Sequence, residues 1–363
     1  MDRSGVAGPA SAGPATAEVD NDVMVTNGRV RMEDVARAAG VSVATVSKVV
    51  NGRYGVAAAT TARVHGVIAE LGYETSLGAR SLRSSRTGIL GVLVAEFEPF
   101  STELLKGVSD AMADTDYELL AFAGATHGET VGWERRSLRR LGGTLLDGAI
   151  IVTPTVIEPG SAVPVVAIDP HTGSSDVPTV DSDNVGGARS AVQHLIDLGH
   201  TRIGMIRGRE DLESARLREQ GFRQAMAAAG LEVDETLLAT GSYRSDSAVA
   251  PAHLLLDRRD RPSAVFAAND LMAIRTIEVA GSLGLRVPQD LSVVGFDNVP
   301  ESALTDPPLT TVAQPLREMG RTALDMLLTM MAGRQPEQVH ARLQTRLVER
   351  ASTAAPATEE SPP

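Results

Sequence analysis

Apolar residues follow two rhythms along this chain, and the change between them divides it. In MEDVARAAGVSVATVSKVVN (32–51), Val35, Ala36 and Ala39 recur at helical spacing, followed by Val46, Val49 and Val50. Gly40 separates the two segments, where a tight interhelical turn needs a left-handed backbone. Ser42 offers a hydroxyl to cap the second helix. Val43, Ala44, Ser47 and Lys48 fall on its outer side, the side that a recognition helix turns to base edges. TARVHGVIAELGY (61–73) adds Val64, Val67, Ile68 and Leu71 at the same period and stops at Gly72. The pattern predicts three helices around a small core over residues 31–73.

From residue 88 the rhythm becomes short apolar runs alternating with amphipathic segments. ILGVLV (89–94), YELLAFA (117–123), GAIIV (148–152), VPVVAI (163–168), RIGMIRG (202–208), SAVFAA (263–268) and LSVVGFD (291–297) read as buried strands. Helical patterns at 185–199, 215–230 and 271–284 lie between them. Strand–helix alternation over this length predicts two parallel sheets covered on both faces. Ligands of open α/β sheets bind beyond the carboxyl ends of the strands. Asp169, Asn269 and Asp297 stand at such ends, and Pro99, Phe100 and Ser101 follow the first strand. Asp270, beside Asn269, reads as a helix cap.

Charge sharpens this division. The net charge is −12, yet residues 29–88 carry nine Lys/Arg against four Asp/Glu. A basic segment joined to an acidic body suits a DNA-reading head. Residues 74–87 (ETSLGARSLRSSRT) form a basic connector: either a flexible linker or a short helix, with Ala79 and Leu82 on one face, that needs a partner to persist. Residues 1–28 lack the apolar stretch of a secretory signal and read as a disordered tail, as do residues 351–363 (ASTAAPATEESPP). The chain has no cysteine, which suits a reducing cytoplasm. No run approaches the ~18 apolar residues of a membrane span. There is no GxGxxG opening a helix after a strand and no phosphate-binding GxxxxGK[ST] loop, and the seven histidines form no HExxH. Enzymatic activity, a cofactor and a metal are therefore not expected. His200 reads as a core histidine.

In their order and spacing, DVARAAGVSVATVSKVVN, AELGY, SLGARSLR, HLIDLGHTRIGMI, AAND, SVVGFDN and PPLTTVAQP resemble the lactose-repressor-type (LacI/GalR) family of transcription regulators, over roughly residues 30–352. The resemblance implies an all-α helix–turn–helix DNA-binding head (29–73), a hinge helix or linker (74–87) and an α/β two-lobed core (88–350) resembling type I periplasmic sugar-binding proteins. The N-lobe would comprise about 88–184 and 316–341, the C-lobe about 185–313 and 342–350. It also implies a cytoplasmic homodimer on a near-palindromic operator, acting by default as a repressor under allosteric control of a small carbohydrate.

Carried over by position, Val43, Ala44 and Lys48 probe the major groove, the small apolar pair against thymine methyl groups. Lys48 stands where arginine is frequent and lacks its planar fork. Ser42, Thr45, Ser47 and Asn51 hold phosphates, and Leu82 wedges into the central minor-groove step. Arg31 and Ala57 replace the usual capping residues of the first and third helices, at about 1 kcal/mol each. The effector contacts implied are Asp169, Arg218, Asn269 and Asp297, with Tyr243 and Leu316 as walls. Aromatic residues are only 3% of the chain, which favours a mono- or short oligosaccharide over a long polysaccharide and leaves purines and other polar metabolites open as alternatives.

Overall fold

The computed structural model describes residues 30–50, 53–73, 86–124, 132–155, 161–171 and 177–357. Asn51, Leu82 and the 1–28 tail lie outside the described residues, as does all of the 74–87 connector except its last two positions. The chain divides into two compact units, Met1–Ser76 and Leu77–Pro363.

The first unit holds α1 (Met32–Ala39), α2 (Val43–Val50) and α3 (Ala58–Leu71). Val35, Ala36, Ala39, Val46, Val49 and Val64 form its core, the stripes that the helical spacing marks out. Gly40 and Gly72 close α1 and α3 at φ 62° and 61°, in the left-handed region that glycine enters without steric cost. The Ser42 hydroxyl accepts from the Thr45 N–H at 3.2 Å and so caps α2. Arg31 itself does not cap α1. Asp34 supplies the missing group instead, accepting from the Arg31 N–H at 2.9 Å. Ala57 leaves the start of α3 without a side-chain cap.

The second unit contains two sheets. The chain runs through β1 (Ile89–Val94), α4 (Pro99–Met112), β2 (Glu118–Ala123), α5 (Trp133–Leu141), β3 (Gly148–Val152), β4 (Val165–Ile168) and β5 (Thr179–Ser182) in the first lobe. It then builds the second lobe from α6 (Asn184–Asp197), β6 (Ile203–Arg207), α7 (Glu213–Ala228), β7 (Leu238–Thr240), α8 (Val249–Leu256), β8 (Ala264–Ala267), α9 (Asp270–Ser282), β9 (Ser292–Asp297) and β10 (Thr310–Ala313). α10 (Leu316–Met331) and β11 (His340–Leu343) return to the first lobe, and β12 (Arg346–Val348) ends in the second. The strand orders are β11-β5-β4-β3-β1-β2 and β12-β10-β9-β8-β6-β7. Pairing is parallel throughout except for β12, which runs antiparallel to β10 and lies outside the expected all-parallel pattern. Among the described residues, no helix is long and apolar enough to cross a membrane.

Every apolar run read as a strand forms one. The short strands β5, β7, β10, β11 and β12 do not announce themselves in the sequence, because Thr, Ser, Asp, Arg and His interrupt them. They form because buried neighbours leave backbone groups that must be paired.

The chain crosses between the lobes after β5, after β10 and after β11, and side chains tie these crossings together. Ser182 Oγ donates to Gln314 Oε1, Gln314 Nε2 donates to Asp297 Oδ1 at 2.7 Å, and Thr345 Oγ1 donates to the Asp183 backbone carbonyl at 3.2 Å.

Residues 351–357, expected to belong to a disordered tail, instead complete the second lobe. Ser352 is fully buried; its hydroxyl donates to the Val293 carbonyl at 2.6 Å and accepts from the Thr310 N–H at 2.8 Å. His200 bonds Ser263, Ser292 and the Ala354 carbonyl at 2.8–3.0 Å, a purely structural role. A polar composition mimics disorder, but each of these polar groups meets a buried partner.

Candidate functional site

In the head, the packing of Val46 and Val49 fixes which side of α2 faces outward. Val43, Ala44 and Lys48 are exposed, while Thr45 and Ser47 are half-buried beside them. Val43 is 43% exposed, a valine withheld from the nearby core. The Thr45 hydroxyl bonds the Ser42 hydroxyl at 2.9 Å, which orients both at the start of the helix. The result is a small apolar pair flanked by hydroxyls and one ammonium.

In the core, the carboxyl ends of both sheets open on a cleft between the lobes with about 150 Å³ of free volume. One water needs about 10–15 Å³ on this measure, so the space corresponds to roughly ten waters. The first lobe contributes Glu96, Glu98 and Phe100 from the segment after β1, with Trp133, Thr153 and Asp169. The second contributes Ser214, Arg218, Tyr243, Asn269 and Asp297. Five of the six expected effector residues therefore meet in one cavity.

Arg218 organises the floor. It is 3% exposed; its Nε donates to Asn184 Oδ1 at 2.9 Å, and its Nη1 donates to the Ala268 carbonyl and reaches Asp297 Oδ1 at 3.5 Å. Its guanidinium lies 3.9 Å from the Phe296 ring centroid and 5.6 Å from that of Tyr243. This cation is held on every side, so it serves as a fixed donor array. Burial raises the pKa of Asp297, against the pull of Arg218 and Gln314. Burial also raises that of Asp169, opposed by the Arg218 charge.

Asn269 is more constrained than a free contact residue. Its Oδ1 accepts from the Met272 N–H at 3.0 Å, which makes it the cap of α9, and its Nδ2 donates to the Tyr243 carbonyl at 2.9 Å. The cap expected of Asp270 is thus made one residue earlier. Asp270 is fully buried and accepts from Thr311 and from the Val299 N–H. Tyr243 packs against Gly208, where an added Cβ would come within 2.1 Å of the ring. The Tyr243 hydroxyl is buried without a hydrogen-bond partner among the described residues, and burial pushes its pKa up to about 12.

Leu316 does not join the site. It begins α10 and packs with Leu104, Val108 and Met319 in the core of the first lobe. Of Pro99, Phe100 and Ser101, only Phe100 lines the cleft; the Ser101 hydroxyl turns back to accept from the Glu98 N–H at 3.0 Å.

Backbone geometry marks the same place. Among the described residues, the non-glycine positions with positive φ are Thr153, Asp169, Tyr243, Asp297 and Asn298. All but Asn298 line the cleft. Such conformations cost about 1–3 kcal/mol each and gather where function holds them.

Sequence reasoning missed Glu98, Trp133, His171 and an ion pair across the mouth. Glu98 is the N-cap residue of α4. Its carboxyl is pushed up to about 7 by burial and by the Asp297 and Glu96 charges, opposed by Arg244. Trp133, the single tryptophan, is 1% exposed at the start of α5. His171 is held near 4 by burial and the Arg209 charge, hence neutral at pH 7, with Nδ1 3.3 Å from Asp211. Arg244 Nη1 of the second lobe meets Glu96 Oε2 of the first at 2.6 Å. The position of Glu98 just past the first strand was the available signal; nothing in sequence spacing links the other three.

Two family descriptions match the chain: "Bacterial regulatory proteins, lacI family" over residues 31–76 and "Periplasmic binding protein-like domain" over residues 192–353. The HTH-type transcriptional regulator CelR of Thermobifida fusca is 37% identical over 343 residues, covering 89% of this chain and 98% of that protein. A solved CelR–cellobiose complex is similar with a TM-score of 0.67 at 36% identity, over 89% of this chain and all of that one. The lac repressor dimer bound to operator and an anti-inducer aligns with a TM-score of 0.74 at 28% identity, over 90% of this chain and all of that one.

Proposed function

The chain belongs to the lacI family of bacterial regulatory proteins and is a DNA-binding transcriptional regulator; from that premise we propose a repressor whose operator binding is controlled by a small carbohydrate in the interlobe cleft. The observation that carries this reading is the cleft itself. Carboxylates that accept from paired hydroxyls, a fixed guanidinium that donates and aromatic walls that cover C–H faces converge in one space. A site of this kind rejects molecules that leave its polar groups unpaired. The cellobiose complex of the similar CelR supports a sugar of one or two rings.

In this reading Asp169, Arg218, Asp297 and Tyr243 contact the effector, and Asn269 holds Tyr243 in place. Val43, Ala44 and Lys48 read bases, while Ser42, Thr45, Ser47 and Asn51 position the helix on phosphates. Leu82 of paired hinge segments wedges the central step of the operator. The protein works as a homodimer in the cytoplasm and catalyses no turnover of its ligand. Effector binding shifts the angle between the lobes, and because ligand and DNA bias one equilibrium, their coupling is reciprocal.

The test is sequencing of genomic fragments retained by the purified protein at fixed salt, with and without a panel of sugars. A shared near-palindrome lost on adding one sugar is the expected result. Retention indifferent to every carbohydrate but altered by another metabolite class would overturn the effector assignment.

A further inference from the structure

The charges of the cleft do not balance. Arg244 is paired with Glu96 at 2.6 Å, Arg209 with Asp211 at 2.6 Å and Arg218 with Asp297 at 3.5 Å. Glu98 and Asp169 remain, and neither has a cation within ion-pairing distance among the described residues. Both line the cavity. A neutral ligand that seals the cleft would strip water from two unpaired carboxylates, which is costly unless they take up protons.

The apolar walls point the same way. Phe100, half-buried, lines this cavity, and among the described residues no guanidinium or ammonium stacks on its ring, whereas Trp133 is packed in the core of the first lobe and only backs the wall. Aromatic faces beside unpaired carboxylates attract a cation through the ring quadrupole as well as through charge. The cleft therefore presents two carboxylates without an ion-pair partner, with one partly exposed aromatic ring in the same cavity.

Resting on the carbohydrate reading above, we propose that the effector carries a protonated amine, as an amino sugar or its short oligomer does, and that Glu98 is the residue that selects it. An ammonium beside Glu98 relieves its repulsion with Glu96 and Asp297, the acidic groups that face it, and Arg244, the cation nearest in effect, is already held by Glu96. The hydroxyls of the ring are then left for Asp169, Asp297 and Arg218. Burial and those neighbouring charges push the Glu98 carboxyl up to about 7, so a neutral sugar binds the protonated form and an ammonium the ionised form. The two ligand classes have opposite pH dependence: affinity for a neutral sugar falls as pH rises through 7, and affinity for an amine rises.

The experiment is titration calorimetry on the full chain with matched sugars: glucose, glucosamine and N-acetylglucosamine; galactose and galactosamine; cellobiose and the glucosamine dimer. At pH 7.5 at least one amine should bind about tenfold more tightly than its neutral counterparts, as a charge-assisted contact requires. Its affinity should fall on going to pH 5.5, and Glu98→Gln should erase most of the preference while Glu98→Asp retains part of it. Neutral sugars that bind as well as or better than their amines in the wild-type protein would overturn the proposal and leave the carbohydrate reading standing. Binding of no sugar in any set would overturn both, and the wild-type comparison decides even if a variant fails to fold.

Discussion

Arg218 and Asp297 form a buried ion pair on the floor of the cleft, with Nη1 3.5 Å from Oδ1 and side-chain exposures of 4% and 5%. The pair joins α7 to the end of β9. Through Gln314, which donates to the same Asp297 oxygen at 2.7 Å, it also touches a crossing between the lobes. The proposed ligand contact and the interlobe geometry thus share one carboxylate.

Arg218→Ala leaves that carboxylate buried without its cation. The expected loss of core stability is about 3–5 kcal/mol, as for other broken buried pairs. Asp297→Asn keeps the Gln314 hydrogen bond but leaves the Arg218 cation buried without its counter-ion, so it should cost at least as much stability and abolish the effector response. Chemical denaturation of both variants, with operator release measured in parallel, checks the order.

Glu98 makes the unliganded core sensitive to pH. A carboxyl raised from 4.5 to about 7 binds more protons in the folded than in the unfolded state across that window. Stability should therefore fall as pH rises from about 4.5 to 7. Glu98→Gln removes this contribution and should be more stable than wild type above pH 7, by about 1–3 kcal/mol. Unfolding midpoints at pH 5 and pH 8 decide it; equal shifts at both values would refute the assignment.

Glu96 and Arg244 are both more than half exposed. Arg244→Ala should change stability by less than about 1 kcal/mol. The pair spans the two lobes, however, so its loss should weaken binding of a neutral sugar by about two- to fivefold. Calorimetry of the variant against wild type, repeated at high salt where the difference should vanish, tests the latch.

In the head, Ala57→Ser restores a hydroxyl at the uncapped start of α3 and should stabilise the head by about 1 kcal/mol. Asp34→Ala should destabilise it by a similar amount, because Asp34 closes α1 in place of Arg31. Neither position lies on the exposed face of α2. Hydrogen exchange of the head amides reports both.

Ser352→Ala leaves the Thr310 N–H and the Val293 carbonyl buried and unpaired. A loss of about 2–3 kcal/mol in core stability is expected, and thermal unfolding should show it. A neutral result would mean that residues 351–357 do not pack in solution.

The sequence by itself determined the elements whose pattern is local. The stripes of α1–α3, the glycines that end α1 and α3, and the apolar runs of seven strands follow from nearest neighbours and from period. So does the placement of Asp169, Asn269 and Asp297 at strand ends, because a parallel sheet puts all its carboxyl ends on one edge. What only the tertiary structure decided depends on partners far along the chain. Leu316 faces Leu104 rather than the cleft because α10 returns to pack on α4. Asn269 ties its amide nitrogen to the Tyr243 carbonyl, and residues 351–357 become ordered, because buried backbone groups elsewhere need their polar atoms. Glu98, Trp133 and Tyr243 share a cavity only because two sheets, joined by three crossings, face each other. No periodicity records that meeting, since it is fixed by long-range packing and not by the residues on either side.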